Sequence, residues 1–230
     1  MTTAVYFDLD GTLCTYDVPF DEQFATAVSP YGEPTDAAYE AYLERLFDAL
    51  ERCEPEPYRG AFEAVLETVD LDATAGTLAR EYRETELEAS VVSADALRVV
   101  ERVAETTMTG VLTNGAGPQQ RAKLERHGLA DLVDEVLVSN DVGAGKPEPE
   151  IFDLAKERLP ADEHVYVGDS YDEDIAGARS AGFRTIYVNE NGGDANAADA
   201  ADAVVSSVDE LLDPTSLPSA IGTPFEPPRR

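Results

Sequence analysis

Ala4-Val5-Tyr6-Phe7-Asp8-Leu9-Asp10-Gly11-Thr12 is the stretch on which the fold turns. Four apolar residues followed by a polar turn with glycine read as a short buried strand that ends where Asp8 begins. Asp8 and Asp10 stand two residues apart, so an extended backbone sends both side chains to the same side, and Gly11 lets the chain turn away sharply.

Working outward, the same grammar returns after Ser93. The pattern predicts helix at 94–106, strand at 110–113, helix at 119–127, strand at 135–138, helix at 150–159, strand at 164–167, helix at 174–181 and strand at 184–188, then 203–205 and a short helix near Leu211. Short apolar strands separated by single helices pair in parallel through right-handed crossovers. The fold class is therefore α/β, a doubly wound three-layer parallel sheet of the Rossmann-like kind. Between the first strand and Ser90 the spacing changes to threes and fours, as in Tyr39, Tyr42, Leu43, Leu46, Phe47 and Leu50, and prolines at 30, 34, 55 and 57 divide it. We read a core of residues 1–15 and 91–213, a helical insertion at 16–90, and a loosely packed, proline-rich tail at 214–230. The Tyr and Leu stripe of residues 39–50 is expected to be the insertion's own core.

The 230 residues carry 47 Asp and Glu against 17 Lys and Arg, a net charge of -30, and Lys123, Lys146 and Lys156 are the three lysines. Such a surface repels nucleic acid and anionic lipid, so neither is an expected partner. Acidity spread along the whole chain, with lysine this scarce, suits a salt-rich cytoplasm in which screening removes self-repulsion. The sequence shows neither an apolar run of membrane-spanning length nor a signal-like start, and Cys14 and Cys53 are too few for a disulfide framework.

In a doubly wound sheet, ligands lie beyond the carboxyl ends of the strands. The residues there are Asp8 and Asp10, then Thr113-Asn114, then Gly145-Lys146-Pro147, then Gly168-Asp169-Ser170 with Asp174 beyond. Crowded carboxylates from Asp8, Asp10 and Asp169 call for a hard cation, and Mg2+ favours carboxylates together with phosphate oxygens. A phosphoryl group sharing that cation needs donors and a compact positive charge, which Thr113, neighbouring amides and Lys146 supply. Asp8 is the candidate nucleophile, forming an aspartyl phosphate, while Asp10 protonates the leaving oxygen and then activates water. A small-molecule phosphate ester is the expected partner, and none of these motifs specifies an oligomeric state.

These motifs in this order resemble the haloacid dehalogenase superfamily of phosphatases. Asp8-Leu9-Asp10-Gly11-Thr12-Leu13 resembles its first motif, Thr113-Asn114 its second, Lys146-Pro147 its third, and Gly168-Asp169-Ser170 through Asp174-Ile175 its fourth. The resemblance implies Asp8 as nucleophile and metal ligand, Asp10 as acid and base whose backbone carbonyl meets the metal, Asp169 and Asp174 as further metal ligands, and the insertion as a helical cap. It also implies that dehalogenation is disfavoured, since those enzymes lack an aspartate at the Asp10 position, and that a Schiff-base hydrolase is excluded because residues 16–90 hold no lysine. Two other readings stay open: a phosphomutase using the same intermediate, and a non-catalytic phosphate-binding or phosphoacceptor module.

Overall fold

A computed structural model describes residues 1–190, 200–213, 215, 217 and 223–226. Its centre is a six-stranded sheet built of β1 (Thr3–Phe7), β4 (Met108–Thr113), β5 (Glu135–Val138), β6 (Glu163–Gly168), β7 (Arg184–Val188) and β8 (Ala203–Val205). The strand order is β5-β4-β1-β6-β7-β8, parallel throughout. Alternation along β1 builds two cores. Val5 and Phe7 face one side with Val99, Val103 and Leu124, while Ala4 and Tyr6 face the other with Phe152, Ala155 and Ala178. Helices α5 (Ala94–Ala104) and α6 (Gly117–Arg126) cover the first face, and α8 (Pro149–Arg158) with the short α9 (Gly177–Ser180) cover the second. A four-residue helix, α7 (Ser139–Val142), follows β5. The chain runs outward from β1 to β4 and β5, then returns across the sheet to β6, so the order reverses beside β1.

Two local departures from the expected elements have clear causes. The segment read as one helix over 174–181 begins as a wide π-type turn, Tyr171–Ala176, because the Ser170 carbonyl accepts from the amides of both Asp174 and Ile175. The tail packs at Leu217 and Phe225, which are buried with the α5 face of the sheet, while Thr215 and Glu226 are exposed. The rest of 214–230, apart from residues 215, 223, 224 and 226, lies outside the described residues.

The insertion is an independent layer of four helices, α1 (Phe20–Val28), α2 (Asp36–Glu51), α3 (Pro57–Thr68) and α4 (Ala75–Ala89). Thr35 and Thr74 cap α2 and α4 by accepting from the amides of Ala38 and Thr77 at 3.2 Å each. Their apolar stripes meet in an aromatic centre, with Tyr42 4.9 Å from both Phe62 and Tyr82 between ring centroids. The chain enters and leaves this layer through a two-stranded antiparallel ribbon, β2 (Thr15–Tyr16) against β3 (Ser90–Val91). The stripe of residues 39–50 is only partly core. Tyr42, Leu46 and Ala49 are buried, but Phe47 is 62% exposed, since it falls on the flank of α2 that faces the groove between the two layers. Among the described residues no helix is long and apolar enough to cross a membrane.

Candidate active site

The site forms where adjacent strands β4, β1 and β6 end. Asp8 extends the β1 ladder by one residue, its amide donating to the Val167 carbonyl at 2.9 Å, so its carboxylate is held at the mouth of the sheet. Gly11 then turns at φ +91°, and a Cβ there would overlap the Asp169 carboxylate. Asp169 follows β6 and accepts from the Thr12 hydroxyl at 2.8 Å. Asp174 reaches back from the wide turn, accepting from the Ser170 amide at 2.9 Å, and packs so closely over Gly168 that no side chain would fit at that position.

Lys146 sits between these acids. Its Nζ lies 2.7 Å from Asp8 Oδ1 and 2.5 Å from Asp174 Oδ1, with Tyr166 Oη at 3.0 Å. Asn114 fixes the segment that carries it: Asn114 Nδ2 donates to the Lys146 carbonyl at 2.9 Å and the Lys146 amide donates to Asn114 Oδ1 at 2.8 Å. The Thr113 hydroxyl donates to the Asn114 carbonyl at 3.2 Å and accepts from Gln120 Nε2 at 3.1 Å. A polar cavity of about 170 Å3 is lined by all seven predicted residues, Asp8, Asp10, Thr113, Asn114, Lys146, Asp169 and Asp174, joined by Ser170 and Glu173. Residues from position 8 to position 174 are thus gathered by the strand ends, the Asn114-held segment of Lys146 and the wide turn after β6.

The electrostatics of this cavity favour a cation. Burial pushes Asp8 up to about 8 against the pull of Lys146, and Asp174 and Asp169 push the same way. Burial and Asp174 also raise Asp169 to about 6. For Lys146, burial works to lower the pKa, but Asp174 and Asp8 prevail and hold it well above the ordinary value, so it stays charged. Asp8, Asp169 and Asp174 each offer an oxygen within 4.8 Å of the others. Three hard carboxylate donors facing one ammonium fit Mg2+, whose charge would relieve the crowding.

The Asp10 carboxylate does not join the crowding expected of it with Asp8 and Asp169: it borders the cavity, but Tyr16, Gln120 and Lys123 engage it, and the acids that cluster are Asp8, Asp169 and Asp174. The Asp10 side chain, 34% exposed, accepts from Tyr16 Oη at 2.6 Å and Gln120 Nε2 at 2.7 Å, and both its oxygens meet Lys123 Nζ, at 2.9 and 3.1 Å. Burial would raise its pKa, but Lys123 and these hydrogen bonds outweigh it and hold the carboxyl below the usual range. Lys123 is 1% exposed and pairs also with Glu86 of α4 at 3.0 Å. Glu86, itself buried, accepts from Tyr58 Oη at 2.8 Å and Gln119 Nε2 at 3.0 Å. The second acid of the first motif is therefore tied to the cap by one continuous polar network.

Lys123, Glu86, Gln120 and Tyr16 escape a reading based on strand ends, because they lie on helices and on the ribbon. Of the three lysines, the structure buries Lys123 and Lys146, each against an aspartate of the first motif. The cap arginines 45, 52, 59 and 80 pair with neighbouring acids, and Arg83 Nε donates to Gln119 Oε1 at 3.0 Å. Cys14, adjacent to the first motif, is buried and its thiol is pushed up to about 12, which leaves it inert as a nucleophile. His127 Nε2 bonds the Ser90 hydroxyl at 2.8 Å and His164 Nε2 the Leu159 carbonyl at 2.9 Å, both away from the cavity.

A family model described as haloacid dehalogenase-like hydrolase matches residues 2–182. A ribulose-1,5-bisphosphate 5-phosphatase from Halopiger xanaduensis is 32% identical, over 95% of this chain and 100% of its own length. Among solved structures, a HAD phosphatase from Thermococcus onnurineus is 30% identical with a TM-score of 0.68, covering 93% of this chain and 97% of its own. A 2-haloacid dehalogenase from Pseudomonas syringae is 29% identical with a TM-score of 0.71 at the same coverage.

Proposed function

Because the chain belongs to the haloacid dehalogenase-like hydrolase family, we propose that it hydrolyses the phosphate monoester of a small molecule through an aspartyl phosphate on Asp8. The observation that carries this reading is the single polar cavity in which Asp8, paired with Lys146, faces Asp169 and Asp174 while Asp10 stands at its edge. The relatives named as phosphatases support the reaction class.

Asp8 Oδ attacks phosphorus as the bond to the leaving oxygen breaks, and the leaving oxygen takes the proton from Asp10. Asp10, now a carboxylate, takes a proton from water as that water attacks the same phosphorus, and Asp8 departs as a free carboxylate. The contacts of Asp10 with Lys123, Tyr16 and Gln120 favour its ionised form and so suit this second half. The first half requires Asp10 to carry a proton when substrate is in place. Lys146 supplies a fixed positive charge beside the attacking oxygen, and Asn114 keeps that lysine in position. Mg2+, held by Asp8, Asp169 and Asp174, would neutralise charge on the phosphoryl oxygens. Dehalogenation, the activity of the 2-haloacid dehalogenase among the structural neighbours, gives Asp10 no task.

The test is turnover of p-nitrophenyl phosphate with Mg2+ in molar KCl. We expect activity that chelation removes and that Asp8→Asn abolishes. A homogeneous Asp8→Asn protein with full activity would contradict the assignment.

A further inference from the structure

Space around Asp10 does not end at the polar cavity. A second cavity of about 200 Å3 shares Asp10 and Asn114 with it and extends between cap and core. Its far walls are Leu43, Leu46, Phe47 and Leu50 of α2 with Tyr58 and Tyr82. The polar groups on its floor are already engaged with one another: Lys123 with Asp10 and Glu86, Tyr16 and Gln120 with Asp10, Tyr58 with Glu86. A hydroxyl-rich group entering here would give up water and find few open partners, whereas an apolar face would be buried against leucine and aromatic side chains.

A second observation points the same way. Six of the eight phenylalanines are buried, and the remaining two, Phe20 at 47% and Phe47 at 62% exposed, both line this cavity, Phe20 bordering a neighbouring one as well. On a chain of net charge -30, exposed aromatic surface gathered at one opening marks a site for an apolar ligand. At about 200 Å3 the space falls below the roughly 300–1,000 Å3 of ordinary small-molecule pockets, which limits the occupant to about one ring.

We propose that this cavity receives the leaving group of the substrate, and that the group is a small aromatic or comparably flat, weakly hydrated one rather than a polyol. The proposal rests on the phosphatase reading of the polar cavity. It puts Asp10, common to both cavities, at the junction where the bridging ester oxygen lies.

Phosphonates, which are not hydrolysed, read the second cavity without turnover. Titration calorimetry of the Mg2+-supplemented protein would compare benzylphosphonate, methylphosphonate and 2,3-dihydroxypropylphosphonate, which share one head group. Benzylphosphonate should bind at least tenfold more tightly than the other two, and Phe47→Ser or Phe20→Ser, both at exposed positions that the cap core does not need, should reduce that margin to within twofold. Benzylphosphonate binding no better than methylphosphonate, absence of binding included, overturns the proposal, as does tighter binding of the dihydroxypropyl compound or a margin untouched by both substitutions. Acetyl phosphate, which reaches only the polar cavity, is the separate check: failure to hydrolyse it rejects the phosphatase reading, while the phosphonate comparison still decides what the second cavity holds.

Discussion

At the scale of single residues, the two lysines of the site divide the labour of the first motif. Lys146 belongs to Asp8 and Lys123 to Asp10. Lys123 also neutralises Glu86, which is 6% exposed, so its removal strands a buried carboxylate. Breaking one side of a buried pair costs about 3–5 kcal/mol, while replacing both members by apolar groups is often neutral. Lys123→Met should therefore destabilise the protein by roughly that amount, and adding Glu86→Leu should restore much of it; denaturant unfolding of the two variants checks this, and equal stability of Lys123→Met and the parent would deny the pair its place. Lys146 was legible in the sequence because one of only three lysines falls in a segment following a strand, among the other polar strand-end motifs. Lys123 was not, because Gln119-Gln120-Arg121-Ala122-Lys123 reads as the solvated face of a helix, and only the three-dimensional packing of α6 under the cap turns that face inward.

At the scale of elements, the carboxyl ends of β4, β1 and β6 were legible from their apolar runs, whereas the strand order that sets them side by side came only with the structure. The wide turn after β6 was not, since Ser170 through Ala176 carries ordinary helix-forming residues and the extra backbone step appears only when Asp174 folds back to the Ser170 amide. That step depends on Gly168, whose missing side chain leaves room for the Asp174 carboxylate. Gly168→Ala should push Asp174 out of line and weaken Mg2+ binding by about 10–100-fold, the range seen when groups supporting metal ligands are altered. Calorimetric titration with Mg2+ measures it, and an unchanged Kd would show that Asp174 does not set the affinity. The cap presents the complementary case. Its helical character was legible from the threes and fours of residues 39–50, but the number of helices was not, nor which residues of α2 face the groove rather than the cap core, since that depends on how the layer sits on the sheet, and Phe47 could not be assigned from spacing.

At the scale of the whole molecule, the charge of -30 dominates. The ion pairs of the cap arginines are exposed and individually weak, so they do not offset the general repulsion among carboxylates. Screening shortens that repulsion to roughly 3 Å at molar salt. The thermal midpoint should accordingly rise from low salt to molar KCl, and a midpoint that stays level or falls would reject a salt-rich interior as the setting of this protein. The fold and the chemistry at its mouth converge on one claim, that phosphorus is transferred to Asp8 before it reaches water. Asp10→Asn isolates the step, because its amide cannot activate water for the second half, and p-nitrophenyl phosphate needs little help from an acid in the first. The decisive measurement is acid quench of Asp10→Asn after mixing with that substrate and Mg2+, followed by mass spectrometry of the peptide containing Asp8. We expect a burst of nitrophenol matched by a phosphoryl group on Asp8; nitrophenol released at the same rate with Asp8 unmodified at every time point would overturn transfer to Asp8.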